Sequence, residues 1–455
     1  MTRRLLLPAA VLCFAASALA AQGPRRVTLD EALRLSAQNS PSTVQARQAV
    51  RTARAGERQA LGAFLPTLNA TVNESWTSQR LDATTQQRNT AASEKPYNQS
   101  YGFTASLPLF TGFQRGANRR AAQATTDLNE AALLRQEYAV ALSTKQAFFN
   151  ALAAAELVTV AETRLRRAGE QLNLVSEKLR LGATTRSDSL RSRVEYGNAQ
   201  LQLIQARADL RTAQANLGRA VGLEMLVAPV PDTTLEVRLG PLDTAALRRE
   251  ALAAAPTVRE AQASVLFARA SLAANRAQYM PTITGSLRQN TSRALNDRLT
   301  PNAIPLYAPT DTARTTPIGF DRMPFAGSTQ LSVSLNFPIF NGFQRETQMV
   351  TASANVASAE ARLRDARLFL DANLTQALAG LEAAAAKIDI ARTSVAAAEE
   401  DLRMQRERYR LGTSTIVEVL TTQVLADQAQ VDLVKARYDY LVARAQLEAY
   451  VGHPL

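Results

Sequence analysis

Four segments of this chain alternate apolar and polar residues with a period of two, and between them run much longer stretches that follow the helical period. Over residues 67–77, Leu68, Ala70, Val72 and Trp76 alternate with Asn69, Thr71, Asn73 and Ser75. Over residues 100–109, Tyr101, Phe103, Ala105, Leu107 and Leu109 stand against Ser100, Gly102, Thr104 and Ser106. Residues 330–339 set Leu331, Val333, Leu335, Phe337 and Ile339 against Ser332, Ser334 and Asn336, while the strand after Pro281 is weaker, resting on Ile283 and Leu287. Strands of about ten residues with one apolar and one polar face fit a transmembrane barrel, apolar outward and polar inward. A half-buried soluble sheet is the alternative. Aromatic residues at the strand ends (Trp76, Phe110, Phe113, Phe340, Phe343) favour the barrel, because such rings settle at membrane interfaces.

The helical stretches are long. Residues 116–180 contain no proline and one further glycine, Gly169, and are rich in strong helix formers. As one helix they reach about 98 Å at 1.5 Å per residue. Leu142, Phe149, Leu152 and Val160 mark an apolar face, and residues 346–409 have the same character. Helices of this length find no compact core to lie on and are stabilised by other long helices, in a coiled coil or tube. Shorter helices are expected over 41–64, 186–221, 256–280 and 416–450, so that two stacked helices run antiparallel to each long one.

The pattern is written twice. Leu107-Pro108-Leu109-Phe110-Thr111-Gly112-Phe113-Gln114-Arg115 returns 230 residues later as Phe337-Pro338-Ile339-Phe340-Asn341-Gly342-Phe343-Gln344-Arg345. Arg180-Leu181-Gly182-Ala183-Thr184-Thr185 returns at the same offset as Arg410-Leu411-Gly412-Thr413-Ser414-Thr415. Pro66 matches Pro281 at an offset of 215. The expected division is a signal peptide over 1–20, a first repeat over 21–222, a linker over 223–241 containing Pro229, Pro231 and Pro241, and a second repeat over 242–455. Four strands per chain cannot close a barrel, for which eight is about the minimum. Other copies of the chain must complete the edges: two copies leave almost no lumen, and three give twelve strands and a pore.

Composition narrows the setting. Arg3 and Arg4, the apolar run from Leu5 to Leu19 and Ala18-Leu19-Ala20 form a secretory signal. The single cysteine, Cys13, lies inside it, so the mature chain has no disulfide or thiolate metal site. Nothing else approaches the roughly 18 consecutive apolar residues of a spanning helix. The net charge of +12 falls to +10 without the signal arginines. The remaining arginines are spread along helices of an exported chain, which argues against nucleic acid. The one histidine, His453, reads as a solvated terminal residue. No phosphate loop, catalytic constellation or metal-spaced ligand set appears, so no enzyme and no cofactor is expected. Asp188 and Glu418 stand at helix starts, where carboxylates complement the helix dipole.

These segments resemble the TolC-type outer-membrane efflux family. The resemblance runs from Leu29-Asp30-Glu31-Ala32-Leu33 to the final helix, and is most specific at the two Pro-x-Phe-x-Gly-Phe segments and at the turn from Tyr409 to Leu420. It implies a fold of α plus transmembrane β: a homotrimer with a composite twelve-stranded barrel in outer-membrane lipid, four strands per chain, and a long α-helical coiled-coil barrel through the periplasm. It implies the exit duct of a tripartite efflux or type I secretion system, with a periplasmic adaptor and an inner-membrane transporter as partners. An exported coiled-coil spacer without a pore is the alternative, though it leaves the strands unexplained. The adaptor-docking tips are then Arg180, Leu181, Gly182, Ala183 and Thr184, with Arg410, Leu411, Gly412, Thr413 and Ser414. The periplasmic gate matches Asp188, Ser187, Tyr409 and Glu418. Thr421 stands where the family places a second acid, and Ser414 where it places a basic residue. Pro66, Pro108, Gly112, Pro281, Pro338 and Gly342 mark the barrel-rim turns. Residues 78–98 and 288–327 are the outward loops.

Overall fold

The computed structural model describes residues 24–76, 97–231, 243–295 and 328–453. The expected signal peptide with Cys13, loop residues 77–96 and 296–327, linker residues 232–242 and the aromatic role of Trp76 lie outside the described residues.

The described elements run β1 (Arg25–Val27), α1 (Leu29–Asn39), α2 (Pro41–Gly62), β2 (Thr67–Trp76), β3 (Tyr97–Phe110), α3 (Gln114–Arg180), α4 (Arg186–Val221), β4 (Val227–Pro229), α5 (Thr244–Ala254), α6 (Pro256–Arg276), β5 (Thr282–Leu295), β6 (Ser328–Asn336), α7 (Gln344–Arg410) and α8 (Ile416–Val451). Both long helices have 67 residues, about 100 Å each. Ion pairs trace the antiparallel partners of α3. Arg54 of α2 meets Glu130 at 2.7 Å, and Arg207 and Arg164 link α3 and α4 through Glu162 and Glu195 at 2.9 and 2.8 Å. On α7, Arg269 of α6 meets Glu360 at 2.7 Å, and Gln430 of α8 donates to Glu399.

Two compact units are present. One takes the chain up to Gln48, Ala131–Glu260 and Asp365–Leu455; the other takes Ala49–Glu130 and Ala261–Arg364. Each draws on both copies of the repeat, because each copy sends its strands to one unit and its turn to the other. In the first unit α8 lies along α3. Tyr438 donates to Glu156 at 2.7 Å, Lys145 pairs with Glu448, and Arg167 meets Asp427 at 3.3 Å. Phe148, Leu217, Leu374, Ile388 and Leu447 fill the core. The parallel pair β1–β4, with Val27 opposite Pro229, also belongs here.

In the second unit four strands form one antiparallel sheet in the order β2-β3-β5-β6. Its register turns the sequence alternation into two continuous faces. Leu68 is opposite Ala105, Ala105 opposite Leu287, and Leu287 opposite Leu331. Val72 pairs with Tyr101, Ala70 with Phe103, Gly285 with Val333 and Ile283 with Leu335. The apolar face is bare in the single chain: Leu68 is 79 % exposed and Leu331 77 %. The opposite face carries Asn69, Thr71, Ser100, Gly102, Thr104, Ser286, Asn290, Ser332 and Ser334.

Several boundaries differ from the sequence expectation. Strand β6 stops at Asn336 rather than continuing to residue 339, because Pro338 has no N–H to continue the ladder. Its counterpart Pro108 stays within β3, where a bulge between Pro108 and Phe110 absorbs it. The weak strand after Pro281 spans 14 residues. Gln289 and Thr291 interrupt its apolar face and hide it from a reading by period.

Candidate functional site

The two tip turns are built alike. At the first, the Ala183 N–H donates to Lys178 O at 2.8 Å and the Gly182 N–H to Leu179 O at 3.0 Å. At the second, the Thr413 N–H donates to Arg408 O at 2.8 Å and the Gly412 N–H to Tyr409 O at 3.2 Å. This pair of bonds closes a helix only when the residue after it is left-handed, and Gly182 and Gly412 have φ of +72° and +78°. The next helix starts at once. Thr185 and Asp188 form a reciprocal capping box, each side chain accepting from the other's backbone N–H at 3.2 Å. Thr415 caps α8 by accepting from the Glu418 N–H at 3.4 Å. Between stop and start only the tip side chains remain free to protrude, and Leu181 and Leu411 are exposed. Arg180 and Arg410 form short-range pairs with Glu177 and Glu407 on their own helices.

The residues expected at the gate divide into three groups. Thr184 donates to the Asp188 carboxylate at 2.8 Å. The hydrogen bond from Thr185, aided by Thr184 and Arg191, holds that carboxyl below its usual range despite some burial. Glu418 is exposed and accepts from the Ser414 hydroxyl at 2.6 Å. That bond, with Thr415 and the nearby Arg408, lowers its pKa in the same way. Ser187 and Thr421 are exposed. Tyr409 is buried with Val175, Ile416 and Val419 in a small core that joins the two hairpins. Lys178 donates to Tyr409 O at 2.9 Å, and its ammonium stands 4.3 Å from the ring centroid. Burial pushes the Tyr409 phenol up, and the charge of Asp188 adds to this.

The strand-to-helix junctions are a second duplicated construction. Gly112 and Phe113 both have positive φ, +59° and +65°, as do Gly342 and Phe343, +67° and +63°. The strained phenylalanines stack edge-on against Phe110 at 5.6 Å and Phe340 at 5.4 Å. Arg345 pins its turn by donating to Pro338 O and Ile339 O at 2.8 and 3.1 Å, over the ring of Tyr279. Arg115 repeats the device with Leu109 O at 3.1 Å and the ring of Phe64. Pro66 and Pro281 each stand immediately before a strand.

Sequence reasoning passed over one cluster. Asp427 of α8 is almost fully buried and meets Arg164 at 3.4 Å and Arg167 at 3.3 Å, while Arg164 also holds Glu195 of α4. Arg406 of α7 donates to the fully buried Gln423 at 3.5 Å. Burial, only partly offset by Arg164 and Arg167, pushes the Asp427 carboxyl up, and burial lowers the Arg406 guanidinium. A signal was present: Val419, Gln423, Ala426 and Val434 form the buried stripe of α8, and Gln423 and Asp427 are polar residues on that stripe.

A sheet with a bare apolar face and a hydroxyl- and amide-lined reverse, joined to paired helices of 67 residues that end in capped tips, defines the subunit of an outer-membrane channel. The chain belongs to the outer membrane efflux protein family, whose pattern matches residues 32–223 and 247–453. It is similar to protein CyaE of Bordetella pertussis, 28 % identical over 366 residues, 77 % of this chain and 68 % of that protein. It is also similar to the alkaline protease secretion protein AprF of Pseudomonas aeruginosa, 26 % identical over 440 residues, 92 % of this chain and 83 % of that protein. The Campylobacter jejuni CmeC outer membrane channel shares the fold, with a TM-score of 0.74 at 14 % identity, covering 93 % of this chain and 85 % of that one. The chain is thus an outer-membrane channel of the efflux and type I secretion class.

Proposed function

We propose that three copies assemble into one duct, with a twelve-stranded barrel in the outer membrane and a helical tunnel in the periplasm, and that it acts by conduction rather than catalysis. The observation that carries this is the sheet. Its four strands share one apolar face through Leu68, Ala105, Leu287 and Leu331, and both edge strands, β2 and β6, need partners in lipid. A coiled-coil spacer gives no use for such a sheet. The duplicated halves, 21–222 and 242–455 across the 223–241 linker, then supply one helical hairpin each, so that a trimer presents six tips.

Those tips are the docking surface for a periplasmic adaptor, which connects the duct to an inner-membrane transporter. Each offers an exposed leucine, a left-handed glycine and small residues: Ala183 and Thr184 on one, Thr413 and Ser414 on the other. Apolar knobs beside room for a partner's side chain suit end-on contact. Glu418 and Thr421 form the constriction of the tunnel, with Asp188, Ser187 and Tyr409 in its latch. Heat-resistant trimers in outer-membrane extracts and pores in planar bilayers test the assembly; a stable monomeric barrel would refute it. Bulky replacement of Gly182 and Gly412 tests the docking. Loss of export with trimers intact is the expected result, and wild-type export by both variants would remove the tips from the docking role.

A further inference from the structure

Resting on the reading of this chain as a channel that opens and closes, we propose that Asp427, Arg164, Arg167, Arg406 and Gln423 form a parting point inside the tunnel wall: a buried polar node whose unrepaid desolvation keeps the two hairpins of each chain separable. The node stands apart from the tip. Asp427 lies 11 residues beyond Ile416, the first residue of α8, about 17 Å along that helix.

All four helices of the two hairpins meet there. Arg164 and Arg167 come from α3, Glu195 from α4, Arg406 from α7, and Gln423 and Asp427 from α8. The charged groups facing Asp427 are Arg164, Arg167, Glu195 and Arg406, and Glu170 faces Arg406. Three arginines thus surround one buried acid, with Glu195 held by Arg164. The polar groups are also incompletely matched. Arg164 Nε and Asp427 Oδ2 face each other as an ion pair at 3.4 Å without hydrogen-bond geometry, and Arg406 Nε and Gln423 Nε2 are buried without a hydrogen bond, as is Gln171 Nε2 one turn below Arg167. A groove of about 370 Å³ opens beside the node, floored by Ala154, Leu157, Val160 and Ala161, with Arg164 and Asp427 on its wall.

Elsewhere along the seam between α3 and α8 the polar contacts are smaller: Tyr438 donates to Glu156 at 2.7 Å, and Glu448 pairs with Lys145 and with Arg444 of its own helix. A buried ionic cluster is generally less stable than an apolar one of the same volume, whereas deleting one partner leaves uncompensated charge. Water reaching the node through the groove would solvate the charges, so separation of the hairpins regains at this level the hydration that closure removed.

Two variants shift opening in opposite directions. Arg167→Met/Arg406→Leu/Asp427→Leu replaces the buried acid and two of its three arginines with apolar side chains, leaving Arg164 paired with Glu195. The expected result is a higher dissociation temperature of the assembled channel together with an open fraction in planar bilayers at least about tenfold lower than wild type. In Asp427→Asn the arginines face one another unbalanced, and the open fraction rises by at least about tenfold. The triple variant keeps the core volume, so it decides the matter even where Asp427→Asn fails to assemble. Wild-type pores with an unchanged open fraction in the triple variant overturn the parting point and leave the channel reading intact. Absence of pores from the wild-type protein overturns the channel reading itself.

Discussion

Gly112 and Gly342 hold the same place in the two copies, with φ of +59° and +67°. Their surroundings differ. A Cβ on Gly112 would fall 2.2 Å from Met280 Cβ and 3.0 Å from Ala277 O, whereas nothing lies within 4 Å of that position at Gly342. Alanine at either site carries the left-handed penalty of about 1–2 kcal/mol. At Gly112 it adds overpacking of about 1–3 kcal/mol. Gly112→Ala is therefore expected to lower the heat-dissociation temperature of the assembled protein clearly more than Gly342→Ala, measured side by side on gels; equal shifts would mean that backbone strain alone decides.

The tip helices depend on their caps. Asp188 and Glu418 both have folded pKa values lowered by hydrogen bonds from Thr185 and Ser414. A lowered carboxyl contributes stability that is present above its unfolded pKa and is lost as pH falls through its folded pKa. The first turns of α4 and α8 are thus expected to keep amide-exchange protection at neutral pH and lose it below about pH 4. Asp188→Asn should remove that acid transition from α4 while leaving it in α8, read by exchange mass spectrometry over peptides from the two tips. Thr185→Ala should weaken the start of α4 by about 1 kcal/mol at neutral pH. For the sheet, the two faces should respond oppositely to charge. Leu331→Arg, on the apolar face, should cost about 2–4 kcal/mol and reduce membrane assembly. Ser332→Arg, one residue on and facing the polar side, should leave assembly near wild type. Equal loss from both would argue that the sheet does not meet lipid.

At the scale of the assembly, three Glu418 carboxylates would stand around one axis. In the chain each is exposed and ionised at neutral pH, its pKa lowered by Ser414 and by the charge of Arg408. With Thr421 in the second position, such a ring would carry three charges rather than six. Glu418→Ala is expected to reduce block by multivalent cations in planar bilayers, while Thr421→Ala leaves it unchanged. Unaltered block in Glu418→Ala would take this carboxylate away from the narrowest point.

Much of this protein follows from local rules. A period of two over residues 67–77 and 100–109 suffices to assign two faces, because successive side chains of a strand must point oppositely. Prolines, whose φ is fixed, and the glycines of the Gly-Phe and Leu-Gly turns, which accept a left-handed φ, mark most of the element ends. The duplication is visible because these marks recur at one offset. Other features needed the folded chain. The β1–β4 pair has three-residue strands, too short for any period, one of them within a proline-rich linker. Asp188 and Glu418 look alike as acids after a turn, and only the structure shows which hydroxyl each one holds. Tyr409 is buried by Val175 and Ile416, and its carbonyl meets Lys178 across 231 residues of sequence. Asp427 meets its arginines across a similar separation, 260 residues in the case of Arg167. Periodicity reports which face of a helix is apolar; which distant helix covers that face, and whether a charge on it finds an opposite charge, depends on long-range packing that no local window contains.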